Sequence, residues 1–201
     1  MSFNWHDGGH ERRHDCGRLP AFGIRLCQAD WRMDVQLSDC GPDRPRWPET
    51  GEVLSVGVDG DTIVAGSPYV YVSGGAAYIW VEPSSGWANM MQTARLTPGK
   101  GEAGIFGCSV AISGGTIVVG ASDNGYDQAG AAYVFQRPAT GWKTTNRFGA
   151  KLLPPVSSQF DYFGTSVSVN GPTISVTALD GPSLAGSAYV FDRQLATGAV
   201  H

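Results

Sequence analysis

One pattern recurs three times along this chain, and such a recurrence limits the fold more than any single motif does. The first copy runs from Val53 to Trp87, the second from Phe106 to Trp142, and the third from Phe163 to Arg193. Thr62, Thr116 and Thr173 are spaced by 54 and 57 positions, and Tyr78, Tyr133 and Tyr189 by 55 and 56. Trp87 and Trp142 lie 55 apart, as do the turns Pro83-Ser84-Ser85-Gly86 and Pro138-Ala139-Thr140-Gly141. Residue type, order and spacing agree together, so each copy is one structural unit.

The second copy shows what the unit is. Ser109-Val110-Ala111-Ile112 reads as a strand closed by the Gly114-Gly115 turn, and Thr116-Ile117-Val118-Val119 as its β-branched partner. A polar loop from Ser122 to Gly130 leads to Ala131-Ala132-Tyr133-Val134-Phe135, and a fourth strand is predicted from about Trp142 to Leu152, ending at Pro154-Pro155. Four short strands in roughly 55 residues make one blade of a β-propeller. An α/β unit would need a helical stretch of about 10–15 residues between strands, and none is present. Composition agrees: 28 glycines and only 16% charged residues in 201 suit an all-β chain with many turns.

The units resemble FG-GAP repeats, the blades of the integrin α-subunit propeller and of many bacterial surface proteins. Phe106-Gly107 and Phe163-Gly164 match the Phe-Gly element. Gly120-Ala121-Ser122 and Ala65-Gly66-Ser67-Pro68 are close to the Gly-Ala-Pro element. The third unit departs there with Val176-Thr177-Ala178, and the first has Glu52-Val53 in place of Phe-Gly. The resemblance covers about residues 51–193. It implies that glycine lets the backbone pass close to the next blade while phenylalanine fills the space between blades. The expected fold is therefore all-β, a partial β-propeller of about three four-stranded antiparallel blades, near residues 51–98, 105–155 and 162–201.

Complete propellers have typically 4–8 blades. Three units, the third reaching only three strands at Phe191, leave an arc with open faces and bare edges. The favoured expectation is a fragment of a longer propeller with further blades; the alternatives are a second copy that closes the ring, or residues 1–50 as a cover over the open arc. Residues 1–50 have a different composition, with seven Arg, no Lys and three of the four cysteines. They read as an irregular leader, disordered or dispensable, with neither strand nor helix period. His6, His10 and His14 recur every fourth residue before Cys16, but Gly8-Gly9 breaks any helix that would align them, so no zinc or nickel site is expected.

Several function classes are excluded by what the repeats lack. No histidine lies between residues 15 and 200, so a Ser-His-Asp triad has no base within the repeats. Ser55, Ser109 and Ser166 hold one repeat position and are read as architectural, and Cys108 as a small buried apolar residue. A formal net charge of −4 gives no footprint for nucleic acid. No apolar run reaches the ~18 residues of a membrane helix, and no signal peptide is read at the start. The turns at Asp59-Gly60-Asp61, Gly114-Gly115 and Gly171-Pro172 are too short to wrap calcium, and Asp59 and Asp61 read as solvated. Asp123 and Asp127 offer more oxygen ligands, yet an ordinary polar loop is the preferred reading and no cofactor is expected.

Function is then expected from loops. In a propeller, the loops between the second and third strands and those between blades share one rim, and in integrin-like propellers, resemblance implies, that rim meets the ligand. It would carry Tyr69, Tyr71, Asp123, Tyr126, Asp127 and Asp180, with Lys100, Glu102, Asp161 and Tyr162 in the interblade turns. Tyrosines beside carboxylates suit recognition of a protein or a glycan. The expectation is a non-catalytic binding or adhesion module, extracellular or on the cell surface by resemblance. A purely structural array and an accessory fragment of a larger secreted hydrolase are the alternatives.

Overall fold

The fold is taken from a computed structural model, which describes residues 23–27, 32–34, 53–68, 74–88, 90–99, 104–123, 129–155, 161–179 and 186–193. Among these there is no helix. Two strands precede the repeats, β1 (Gly23–Cys27) and β2 (Arg32–Asp34). Blade 1 holds β3 (Ser55–Asp59), β4 (Thr62–Ser67) and β5 (Ala76–Val81). The two-residue β6 (Met90–Met91) and β7 (Ala94–Leu96) follow. Blade 2 holds β8 (Phe106–Ser113), β9 (Thr116–Ala121), β10 (Ala131–Gln136) and β11 (Ala150–Leu152). Blade 3 holds β12 (Val167–Asn170), β13 (Thr173–Leu179) and β14 (Gly186–Asp192).

Each blade is an antiparallel meander. The strand orders are β3-β4-β5-β7, β8-β9-β10-β11 and β12-β13-β14. The fourth strand of blade 2 is shorter than the sequence predicts, covering Ala150–Leu152 only. Trp142, expected at its start, lies outside the strand and is buried against the joint between blades 1 and 2. Residues 1–50, read from the sequence without a strand period, contribute a five-residue strand and a three-residue one. β1 pairs with β2, and its Gly23 and Ile24 pair with Met91 and Met90. Gly23-Ile24-Arg25-Leu26-Cys27 does alternate in polarity, but over too short a span to register as a period.

The blades stack through their inner strands, β3 on β8 and β8 on β12. The core lies in the joints. Val64, Ile79 and Leu96 of blade 1 meet Phe106, Val119 and Tyr133 of blade 2 in one cluster. Val118 and Val134 of blade 2 meet Phe163, Ile174 and Val176 of blade 3 in another. Phe106 and Phe163 thus sit between blades, each fully buried. Phe106 makes an edge contact with Tyr133 at 5.4 Å, and Phe163 lies 5.5 Å from Tyr189 in a tilted pair. The recurring tyrosines are packing residues, as their repetition implies.

Glycine makes the stacking close enough. Gly107 and Gly164, at φ +97° and +95°, hold a backbone turn that L side chains rarely adopt. That turn sends their carbonyls onto Gly66 and Gly120 of the preceding blade, where any Cβ would collide with backbone. Blade 3 has Thr177 at the position of Gly66 and Gly120. Its Oγ1 accepts a hydrogen bond from the Ser166 amide at 3.0 Å. The middle strands tell the same story. β4 and β9 are buried at all six positions, as strands covered on both faces must be. β13 instead alternates, with Ile174, Val176 and Ala178 buried while Thr173, Ser175, Thr177 and Leu179 face away from blade 2.

Candidate functional site

Two rims flank the stacked blades, and they are built differently. On the rim of the tight hairpin turns, side chains tie one blade to the next. The Gly114 amide donates to Asp59 Oδ2 at 2.6 Å, and the Gly171 amide to Ser113 Oγ at 3.3 Å. Arg137 Nη1 lies 3.5 Å from Asp61 Oδ1, and Arg193 Nη1 donates to Thr116 Oγ1 at 2.9 Å. Asp59 and Asp61 are exposed, as solvated turn residues would be, but both also serve as braces. The repeat hides this role because aspartate fills it in blade 1 and serine in blade 2.

On the opposite rim the backbone itself does the joining. The Phe106 amide donates to the Gly74 carbonyl at 3.1 Å, and the Phe163 amide to the Ala129 carbonyl at 2.9 Å. Short parallel bridges, Gly75 with Phe106 and Gly130 with Phe163, continue these contacts. Each connection between blades therefore runs beside the loop that joins the second and third strands of the blade before it. The Ile105 amide donates to the Asp123 carbonyl at 3.1 Å, so Asp123 also lies at this junction. Sequence reasoning did not single out Gly74, Ile105 or Ala129, because they act through backbone groups that carry no residue signature.

The expected site residues fall into two groups. Asp123, Asp161 and Tyr162 are described. Asp123 is half-buried at the head of its loop. Asp161 is only 9% exposed, which departs from the open turn that the sequence suggests. The turn folds back on itself there. Tyr162 has φ +47°, the one positive φ outside glycine among the described residues, and its carbonyl accepts from Thr165 Oγ1 at 2.6 Å. Tyr162 itself is half-buried. Tyr69, Tyr71, Tyr126, Asp127 and Asp180 lie outside the described residues, as do Lys100 and Glu102. The leader histidines lie outside them too.

Repeated serines and Cys108 also have assigned contacts. Ser109 Oγ donates to the Gly164 carbonyl at 2.7 Å, and Ser55 Oγ accepts from the Val110 amide at 2.8 Å. Both are joint residues, in line with an architectural role. Cys108 is half-buried rather than buried, a correction to the sequence reading; it lies in the register shift between Phe106 and Ser109, outside the regular pairing of β8 with β9. Its Sγ lies 3.4 Å from the Gly164 carbonyl oxygen. Among the described residues no three His, Cys, Asp or Glu side chains cluster as metal ligands would. No helix among them is long and apolar enough to cross a membrane.

The Phe-Gly turn seated on the glycine of the blade before it is the structural sense of the repeat. The family model described as FG-GAP repeat matches residues 90–135 and 147–191. These two segments are FG-GAP repeats. Both matched segments begin near an outer strand, β7 or β11, and continue through the first three strands of the following blade. The FG-GAP unit of the sequence is thus offset by one strand from the blade. No curated protein matches the chain.

Proposed function

We propose that this chain with its FG-GAP repeats is a non-catalytic binding module, outside the cell or on its surface, that takes a protein or glycan ligand on one rim. The observation that carries the reading is the convergence at that rim. Connections between blades run beside the strand-two-to-three loops, fixed by amide-to-carbonyl bonds at Gly74, Ala129 and Asp123. A scaffold that fixes loop bases leaves loop tips free to vary, which is how loops come to carry recognition. The opposite rim spends its polar side chains on joining blades. The loops that start from the fixed bases contain Tyr69, Tyr71, Tyr126 and Asp127, and the corresponding stretch of blade 3 contains Asp180, the residue types suited to an anchored contact.

The test is a glycan and extracellular-matrix protein array, with wild type beside Tyr126→Ala. A tyrosine anchor removed from a recognition loop is expected to weaken capture by about 2 kcal/mol. The fold should change by no more than about 0.5 kcal/mol, since an exposed loop substitution costs little. Capture by wild type that survives Tyr126→Ala and Asp123→Ala alike would refute the rim assignment. No capture of any kind would favour a purely structural array. Adding EDTA is expected to leave capture unchanged, because the hairpin turns are too short to wrap calcium.

A further inference from the structure

Blade 1 is covered on the face turned away from blade 2, but only in part. Ile63, Ala65, Tyr78 and Trp80 are buried there in one cluster with Val53, Trp87 and Met90. Their counterparts in blade 2, Ile117, Val119, Tyr133 and Phe135, lie in the joint with blade 1. On the first strand the comparison fails. Leu54, Val56 and Val58 are 53%, 61% and 69% exposed. Val110 and Ile112, which match Val56 and Val58 in blade 2, pack into the joint with blade 1. The cover thus reaches the second and third strands of blade 1 and stops short of the first.

Strand pairing shows where the cover is anchored. In blade 2, Thr145 lies three residues after Trp142 and joins the outer strand of the blade before it. Its amide donates to the Arg95 carbonyl at 3.0 Å, and its carbonyl accepts from the Thr97 amide at 3.2 Å. In blade 1, Met90 lies three residues after Trp87 and pairs with Ile24 of β1, while Met91 pairs with Gly23. Beside blade 1, β1 therefore holds the place that β7 holds beside blade 2, and β2 lies next to β1 as β5 lies next to β7. Yet the hairpin is not a displaced repeat. The bridge from Leu96 to Thr145 is parallel, whereas β1 runs antiparallel to β6. Leu96 precedes Phe106 by 10 residues and Leu152 precedes Phe163 by 11, but Cys27 precedes Glu52, the equivalent position, by 25.

We propose that the β1–β2 hairpin is a built-in cap, held at β6, which stands in for the outer half of a neighbouring blade and closes that face of blade 1 to a second copy of the chain. Two strands in this position cover what the outer half of a blade would cover, in keeping with the buried second and third strands and the exposed first. An uncovered apolar blade face invites association with another. Release of the hairpin from β6 opens the face, so the cap governs self-association. The cap belongs to the stack of blades and does not depend on the rim binding anything.

Hydrogen exchange read by mass spectrometry on the full chain is the first test. Peptides spanning Gly23–Cys27 and Met90–Met91 are expected to exchange at least ~10-fold more slowly than in the unfolded chain, because the two strands are paired. Exchange as fast as in the unfolded chain would overturn the cap, and this arm needs no altered protein, so it decides the matter even where a variant does not fold. Ile24→Pro is the second test. β1 is the central strand of its sheet, where proline is not accommodated, so the substitution frees β6 without touching the repeats. Protection at Met90–Met91 should be lost while that of β9 and β13 is kept, and sedimentation should show a larger species than wild type at the same concentration. Adding Val56→Arg, which places a charge on the opened face, should reverse that association. An Ile24→Pro protein that keeps the β6 protection, or loses it without associating, overturns the proposal. So does association that Val56→Arg leaves unchanged.

Discussion

Gly120→Ala isolates the close approach on which the stacking depends. The added methyl would be driven into the Gly164 carbonyl, with its carbon at 3.0 Å, and into Ser109 Oγ. Gly120 does not have a positive φ, so the alanine backbone is unstrained and the effect is purely one of space. A strand glycine replaced by alanine would otherwise gain roughly 0.5–1 kcal/mol. Here the obstacle is backbone, which gives way only by opening the joint, at about 1–3 kcal/mol for overpacking. The 2.7 Å bond from Ser109 Oγ to the Gly164 carbonyl is lost with it, at about 1 kcal/mol. The net expectation is a loss of about 1–3.5 kcal/mol, or roughly 3–12 °C in Tm for a domain of this size. Urea unfolding beside scanning calorimetry measures it. Gly149→Ala is the control, since its new methyl would lie 3.5 Å from the nearest atom, the Val134 carbonyl oxygen. A Gly120→Ala protein within about 0.5 kcal/mol of wild type would refute the account of the joint.

Three further outcomes are expected. Phe163→Ala empties the joint between blades 2 and 3 and should cost about 3–5 kcal/mol, with blade 3 melting ahead of the rest as a separate calorimetric transition. Asp59→Ala removes the acceptor of the Gly114 amide and should cost about 1 kcal/mol in urea unfolding, less than a buried bond because both groups meet water. Arg137→Ala breaks an exposed 3.5 Å ion pair and should change stability by no more than about 0.5 kcal/mol, the difference vanishing in high salt.

The blades were legible in the sequence because their most informative residues act through packing, which the repeat copies each time. Phe106, Phe163 and the tyrosine series kept both type and spacing; Phe106, Phe163, Tyr133 and Tyr189 occupy joints between blades, and Tyr78 packs beside Trp80 within blade 1. The alternation along β13 was not read from the sequence, although Ser175 and Thr177 stand where blade 2 has Val118 and Gly120. Bracing contacts were not legible, because Asp59 and Ser113 do one job with different chemistry. Nor was the hairpin before blade 1, whose pairing with Met90 and Met91 links segments more than sixty residues apart without any shared motif. At the rim, an aspartate beside a tyrosine looked exposed by composition. Asp161 is instead 9% exposed, and the positive φ of Tyr162 beside it is a backbone property that composition does not report.

The one-strand offset between the FG-GAP unit and the blade bears on how such a chain can be divided or lengthened. Cutting at the start of a matched segment, at residue 90 or 147, severs β7 or β11 from the sheet it completes. A piece made that way begins with an orphan strand and ends with a bare edge. Cutting after Leu96 or Leu152 keeps each sheet whole. Duplication of a sequence unit, by contrast, inserts one outer strand and three inner ones, so the new outer strand finishes the old blade and the old outer strand finishes the new. The offset works like overlapped roof tiles: a row can be added anywhere without leaving a seam.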